Sequence, residues 1–151
     1  MKTRIPPPLV TVIFMVIMWW LATQLNGFQL HFPGSAIVAI LLGLSGLIVI
    51  VMGILTFRRH ETTVNPLKPR TATRLVDSGI YGYTRNPMYL GNVIILIAWG
   101  VFLDNGLLLV SAVVFFVLFM NLFQIGPEEE ALSDLFGEDY RAYQQKVRRW
   151  I

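Results

Sequence analysis

Cysteine is absent from the 151 residues, and charge is scarce: Asp, Glu, Lys and Arg together make up 14% of the chain, against about a quarter in an ordinary soluble domain. Without cysteine there is no disulfide-stapled fold, thiolate zinc site, iron–sulfur cluster or cysteine nucleophile. Histidine occurs only at His31 and His60. No GxGxxG or Walker-type loop is present, so the phosphate cradle of a soluble nucleotide-binding fold is excluded. Disorder is excluded by what is abundant, since 55% of residues are hydrophobic and 13% aromatic. The mean hydropathy is +0.62.

The few charges are crowded into short blocks between apolar runs, the distribution of a polytopic membrane protein. Four runs stand out, at 9–25, 36–57, 88–103 and 107–125. A membrane-crossing helix needs about 20 residues, so the second and fourth suffice alone, whereas the first and third need their flanks. Asp104-Asn105-Gly106 separates the last two runs with turn-forming residues, predicting a tight antiparallel hairpin. Lys2 and Arg4 precede the first run. Arg58, Arg59, Lys68, Arg70, Arg74 and Arg85 lie between the second and third, and Arg141, Lys146, Arg148 and Arg149 follow the fourth. These are all twelve basic residues, and four spans with both termini cytoplasmic satisfy the positive-inside rule without exception. The formal charge of +3 therefore fits orientation against an anionic membrane surface rather than nucleic-acid binding. The first run is long for a signal peptide and ends in Trp19-Trp20, an interfacial aromatic pair, which predicts a retained helix. On the second run, Ala39, Gly43, Gly46 and Gly53 share one face, as expected for close helix packing. In this topology His31 and His60 fall on opposite sides of the membrane and cannot share a metal.

The groups able to do chemistry lie on the cytoplasmic side, in 58–87 and 126–151. The first segment carries prolines at 66, 69 and 87 and glycines at 79 and 82, and reads as an irregular, shaped loop. Tyr81, Tyr83 and Tyr89 put amphipathic rings at headgroup level, where each equally suits an interfacial anchor. Pro87 suits the first turn of the third helix. Arg85 then stands at that helix mouth, where either an anion-binding or a topogenic role is open. In the second segment Gly126-Pro127 is expected to end span four. Glu128, Glu129 and Glu130 then occupy a new first turn, where the helix dipole favours acids. Leu132, Leu135, Phe136, Tyr140, Tyr143, Val147 and Trp150 repeat at helical spacing, predicting an amphipathic helix with a bend at Gly137. The hairpin should bring Arg85 beside the acidic cluster. An arginine and acids in a partly dry site can bind a zwitterion, and an ordinary ion pair would look the same.

Gly79-Ile80-Tyr81, then Arg85-Asn86-Pro87-Met88-Tyr89-Leu90-Gly91, then an apolar hairpin, then Glu128-Glu129 with Leu132, Phe136, Gly137, Tyr140 and Tyr143 resembles the isoprenylcysteine carboxyl methyltransferases and their phospholipid methyltransferase relatives. The resemblance runs from about Asp77 to Trp150. It implies an all-α integral membrane methyltransferase using S-adenosyl-L-methionine. Carried over by position, the cofactor would be held by Tyr81, Asn86, Pro87, Tyr89 and Glu128. Arg85, Glu128 and Glu129 would be catalytic. Arg85 would orient an anionic substrate group or the cofactor carboxylate, and Glu128 or Glu129 would hold the cofactor ammonium or accept a proton. Where the family usually has histidine this chain has Asn86, which hydrogen-bonds but does not titrate. The tail after Tyr143 is brief, so no further lid is expected.

The expected architecture is thus one membrane domain, residues 1–151, of four transmembrane helices and a cytoplasmic amphipathic C-terminal helix, fitting a prokaryotic cell membrane. The expected activity is methyl transfer to a lipophilic acceptor at the cytoplasmic boundary, with carboxylate, amine and thiol acceptors all open. Two other classes compete: a non-enzymatic four-span assembly module, and a membrane reductase like the sterol reductases, for which the chain is short.

Overall fold

The computed structural model describes residues 5–25, 29–30, 32–59 and 75–151. Lys2, Arg4, His31, His60, Glu61, Lys68, Arg70 and Arg74 lie outside these residues, as does most of the loop between the second and third helices. The described residues form six α-helices and no strand: α1 (Pro7–Gln24), α2 (Ser35–Arg59), α3 (Pro87–Phe102), α4 (Gly106–Met120), α5 (Gly126–Phe136) and α6 (Glu138–Lys146).

Three helical stretches have the length and apolarity to cross a membrane, namely α1, α2 and the continuous stretch Gly106–Phe136 containing α4. At 16 residues, α3 rises roughly 24 Å, short of a hydrocarbon core about 30 Å thick. Yet α3 is the helix around which the others pack, with contacts to α1, α2 and α4. Pro87, Tyr89, Gly91, Asn92, Val93, Leu96, Ala98, Gly100 and Val101 are buried along it, whereas α2 buries only Ala39, Gly46 and Gly53. The rest of α2 presents apolar side chains such as Ile37, Ile40 and Leu41 outward. The core between α1, α3 and α4 is centred on Leu96, Phe116 and Met120, all fully buried. The Trp99 indole N–H donates to the Met15 carbonyl at 3.0 Å, tying α3 to α1.

The small-residue face of α2 is used for packing against α3. A Cβ on Gly46 would lie 2.7 Å from the Gly91 carbonyl oxygen, and one on Gly91 would lie 2.6 Å from the Gly46 oxygen. The two backbones therefore approach so closely that neither position has room for a methyl group. The α3–α4 turn forms as its residues dictate: Asp104 adopts a positive φ of 53°, and the Asn105 side chain caps α4 by accepting from the Leu108 N–H at 3.1 Å.

Two expectations are corrected at the other end of α4. Gly126-Pro127 does not end the helix, because the five-residue π-helical turn Asn121–Ile125 leads straight from α4 into α5. Proline has no N–H and its ring crowds the carbonyl four residues back. The widened turn accommodates both, with the Gly126 N–H donating to Asn121. Glu128 and Glu129 consequently sit on a continuing helix, not at a free N-terminus. The amphipathic stripe is also not one helix. Gly137, at φ 53° and ψ −120°, separates α5 from α6, which ends at Lys146; Val147 is extended, and Trp150 lies beyond the helix. Leu135, placed on the apolar stripe, is 43% exposed.

Candidate active site

The hairpin brings the mouth of α3 against the first turn of α5. Leading into α3, Gly79 at φ 60° starts the 3-10 turn Gly79–Gly82, and Asn86 and Pro87 open the helix, proline serving as the first residue. Tyr81, on the turn, is buried, its ring edge-on to Phe57 with centroids 5.0 Å apart. Its carbonyl accepts from the Tyr143 hydroxyl at 2.7 Å, joining the turn to α6. Tyr89, in the first turn of α3, is buried and donates its hydroxyl to Glu128 Oε1 at 2.6 Å. Of the three tyrosines read as possible interfacial rings, Tyr83 alone faces outward, at 82% exposure.

Arg85 and Glu129 form the second bridge, Nη2 to Oε1 at 3.1 Å, with side chains 11% and 13% exposed. Arg85 thus meets the acidic cluster as expected, through Glu129; Glu128 is met by Tyr89 instead, and Glu130 is exposed. Asn86 donates its Nδ2 hydrogen to the Arg149 carbonyl at 2.9 Å. The asparagine that stands where a histidine was expected is thus engaged with the chain's own C-terminal residues.

Burial shapes the electrostatics: it raises Tyr81 and Tyr143 well above the ordinary phenol range, so both are neutral donors at any working pH. Three buried polar atoms here have no hydrogen-bond partner among the described residues: Tyr81 Oη, Arg85 Nε and Arg85 Nη1. A buried guanidinium with unmet donors is costly unless something anionic satisfies it. Arg85 can therefore receive a carboxylate and the Glu128 oxygen that Tyr89 does not hold can receive a cation, whereas Glu129 is already engaged by Arg85 and Arg149. Among the described residues no group of three His, Asp or Glu could hold a metal.

Sequence reasoning missed two contributors. Thr84 accepts from the Asn86 backbone N–H at 3.2 Å and donates to the Arg149 carbonyl at 3.3 Å. Arg149 was counted only among the basic residues that follow the fourth run, yet it binds Glu129 through Nε at 3.1 Å and through Nη2. No periodicity signals Arg149, because it follows the helix rather than belonging to it.

The chain is similar in sequence and in fold to known methyltransferases. The chain is 35% identical over 96 residues to methanethiol S-methyltransferase 1 of Bradyrhizobium diazoefficiens, an alignment covering 63% of this chain and 32% of that enzyme. It is 32% identical over 111 residues to protein-S-isoprenylcysteine O-methyltransferase B of Arabidopsis thaliana, covering 68% of this chain and 55% of the plant protein. An uncharacterized Haemophilus influenzae protein is 48% identical over 64 residues, its whole length and 42% of this chain. The fold is like that of the eukaryotic intramembrane Ras methyltransferase ICMT, with a TM-score of 0.54 at 20% identity, covering 99% of this chain and 53% of that one. This chain thus spans about a third to just over half of its methyltransferase relatives. The description of the family as phospholipid methyltransferase matches residues 35–139, from α2 through the acidic turn into α6, and the chain belongs to that family.

Proposed function

We propose that the protein transfers a methyl group from S-adenosyl-L-methionine to a lipophilic acceptor at the cytoplasmic boundary of the membrane. The observation that carries this reading is Arg85, buried, with two donors unmet, beside Glu128 and Glu129. The donor set fits the zwitterionic end of that cofactor: Arg85 would hold its carboxylate and Glu128 its ammonium, with the Tyr81 hydroxyl available as a further polar contact. When bound, the cofactor supplies a methyl already activated on a sulfonium, so the transfer is an in-line displacement.

The protein's task is then to orient the reactants, an effect able to lower a barrier by about 7–11 kcal/mol. Arg85 is held by Glu129 on one side, and Tyr89 fixes one oxygen of Glu128, leaving the other for a cation. Glu128 would also stand where it could accept a proton from a thiol or amine acceptor. Four crossings with both termini cytoplasmic would set this site at the inner headgroup level, α3 completing its crossing inside the bundle. An apolar acceptor would reach the site through the lipid, and the cofactor through water. Methanethiol and isoprenylcysteine, after which two of the relatives are named, both combine sulfur with an apolar body, and are the acceptors to try first.

The test is transfer from methyl-labelled S-adenosyl-L-methionine by detergent-purified protein to methanethiol, a long-chain amine and a farnesylated cysteine. Label on at least one acceptor, lost in Arg85→Ala, is expected. Label on none of them would contradict the acceptor half of the proposal.

A further inference from the structure

The C-terminal residues are fastened across both halves of the site. The Arg148 carbonyl accepts from the Arg85 N–H at 3.0 Å. The Arg149 carbonyl accepts from Asn86 Nδ2 at 2.9 Å and Thr84 Oγ1 at 3.3 Å. The Trp150 indole donates to Asn121 Oδ1, in the π-helical turn, at 3.2 Å. Every residue from Thr84 to Asn86 is thus held by this tail.

The side chain of Arg149 adds something the backbone bonds do not. Glu129 has two oxygens, and Arg149 contacts both, Oε1 through Nε and Oε2 through Nη2. Arg85 reaches only Oε1, through Nη2. An arginine facing a free carboxylate favours the forked, two-bond arrangement. With Arg149 gone, both oxygens of Glu129 would be open to Arg85, and the fork would close on the protein's own acid. As it stands, Arg85 Nε and Nη1 are buried and unmet among the described residues.

We infer that Arg149 is a positioning residue: by occupying Glu129 it restricts Arg85 to a single contact and keeps two guanidinium donors available to an anionic ligand. The inference rests on the methyltransferase reading, in which that ligand is the cofactor's carboxylate.

The experiment compares two probes by calorimetry on detergent-purified full-length protein: S-adenosylhomocysteine, and its decarboxylated form, which keeps the adenosine and the amine. The wild type should favour the carboxylate-bearing probe by about tenfold or more, the worth of one charge-assisted hydrogen bond. Arg149→Gln should erase about tenfold of affinity for S-adenosylhomocysteine and leave the decarboxylated probe unchanged. Arg149→Lys, which restores charge but only one contact, should fall between. In an Arg85→Gln background, adding Arg149→Gln should change neither affinity, because the two act as a unit. Undiminished binding of S-adenosylhomocysteine by Arg149→Gln would overturn the inference, and so would equal weakening of both probes, the mark of a merely structural tail. If Arg149→Gln does not fold, wild-type affinities in Arg149→Lys would likewise overturn it. A wild type that binds both probes alike removes the carboxylate contact and the inference with it. Failure of the folded wild type to bind either probe would instead overturn the methyltransferase reading itself.

Discussion

Glu128 is the residue on which the cation half of the proposed site turns. Tyr89 donates to one of its oxygens at 2.6 Å, so the other is the one open to an ammonium. Glu128→Gln keeps an acceptor for Tyr89 but removes the negative charge, and should weaken binding of S-adenosylhomocysteine about tenfold or more. Calorimetric titration of the variant beside the wild type reads this directly. The meeting of Arg85 with the acidic cluster was legible in the sequence as a topological juxtaposition, and the structure pairs it with Glu129. Arg149 was not, because the Thr84 and Asn86 bonds that seat it run to its backbone carbonyl, and a carbonyl leaves no trace in residue identity.

At the level of helices, two glycines make separable predictions. Gly46→Ala would force α2 away from the Gly91 carbonyl, 2.7 Å from the new Cβ, and should cost about 1–3 kcal/mol. Gly43→Ala, whose Cβ would meet only the Ala98 Cβ at 3.9 Å, should be nearly neutral. Gly137→Ala meets nothing within 4 Å but must adopt φ 53°, so its cost, about 1–2 kcal/mol, is conformational alone. Thermal denaturation in detergent separates the three. The α3–α4 hairpin was legible because Asp-Asn-Gly between apolar runs has one local solution. The continuation from α4 into α5 was hidden for the opposite reason. Gly-Pro signals a stop, and only a π-helical turn five residues long lets the backbone absorb proline without one. That turn sets the rotation of α5 and hence which of three consecutive glutamates face Tyr89 and Arg85. The sequence shows the cluster, but its facing depends on the added residue in the turn.

At the level of the molecule, the charge distribution carries the topology. Because the natural chain has no cysteine, single cysteines placed at Phe32, exposed between α1 and α2, and at Gln145, exposed on α6, would report it without background. A membrane-impermeant thiol reagent applied to intact cells should label the first, and reach the second only after permeabilisation. α3 is short for a crossing by length, and the proposed fourth crossing would run inside the bundle of α1, α2 and α4. A helix surrounded by three others needs apolar surface to pack against protein, and its 16 residues place Arg85 and Tyr89 at the depth of the acidic turn. The fold thereby sets Arg85 against Glu129 and Tyr89 against Glu128, the pairs proposed as receptors for a carboxylate and a cation. The central claim is that this pair holds a zwitterionic methyl donor, and calorimetric titration of purified protein with S-adenosylhomocysteine at pH 8 tests it most directly. Saturable binding, weakened at least about thirtyfold in Arg85→Ala, is the predicted result; no binding by folded wild-type protein, or equal binding by the variant, would contradict it.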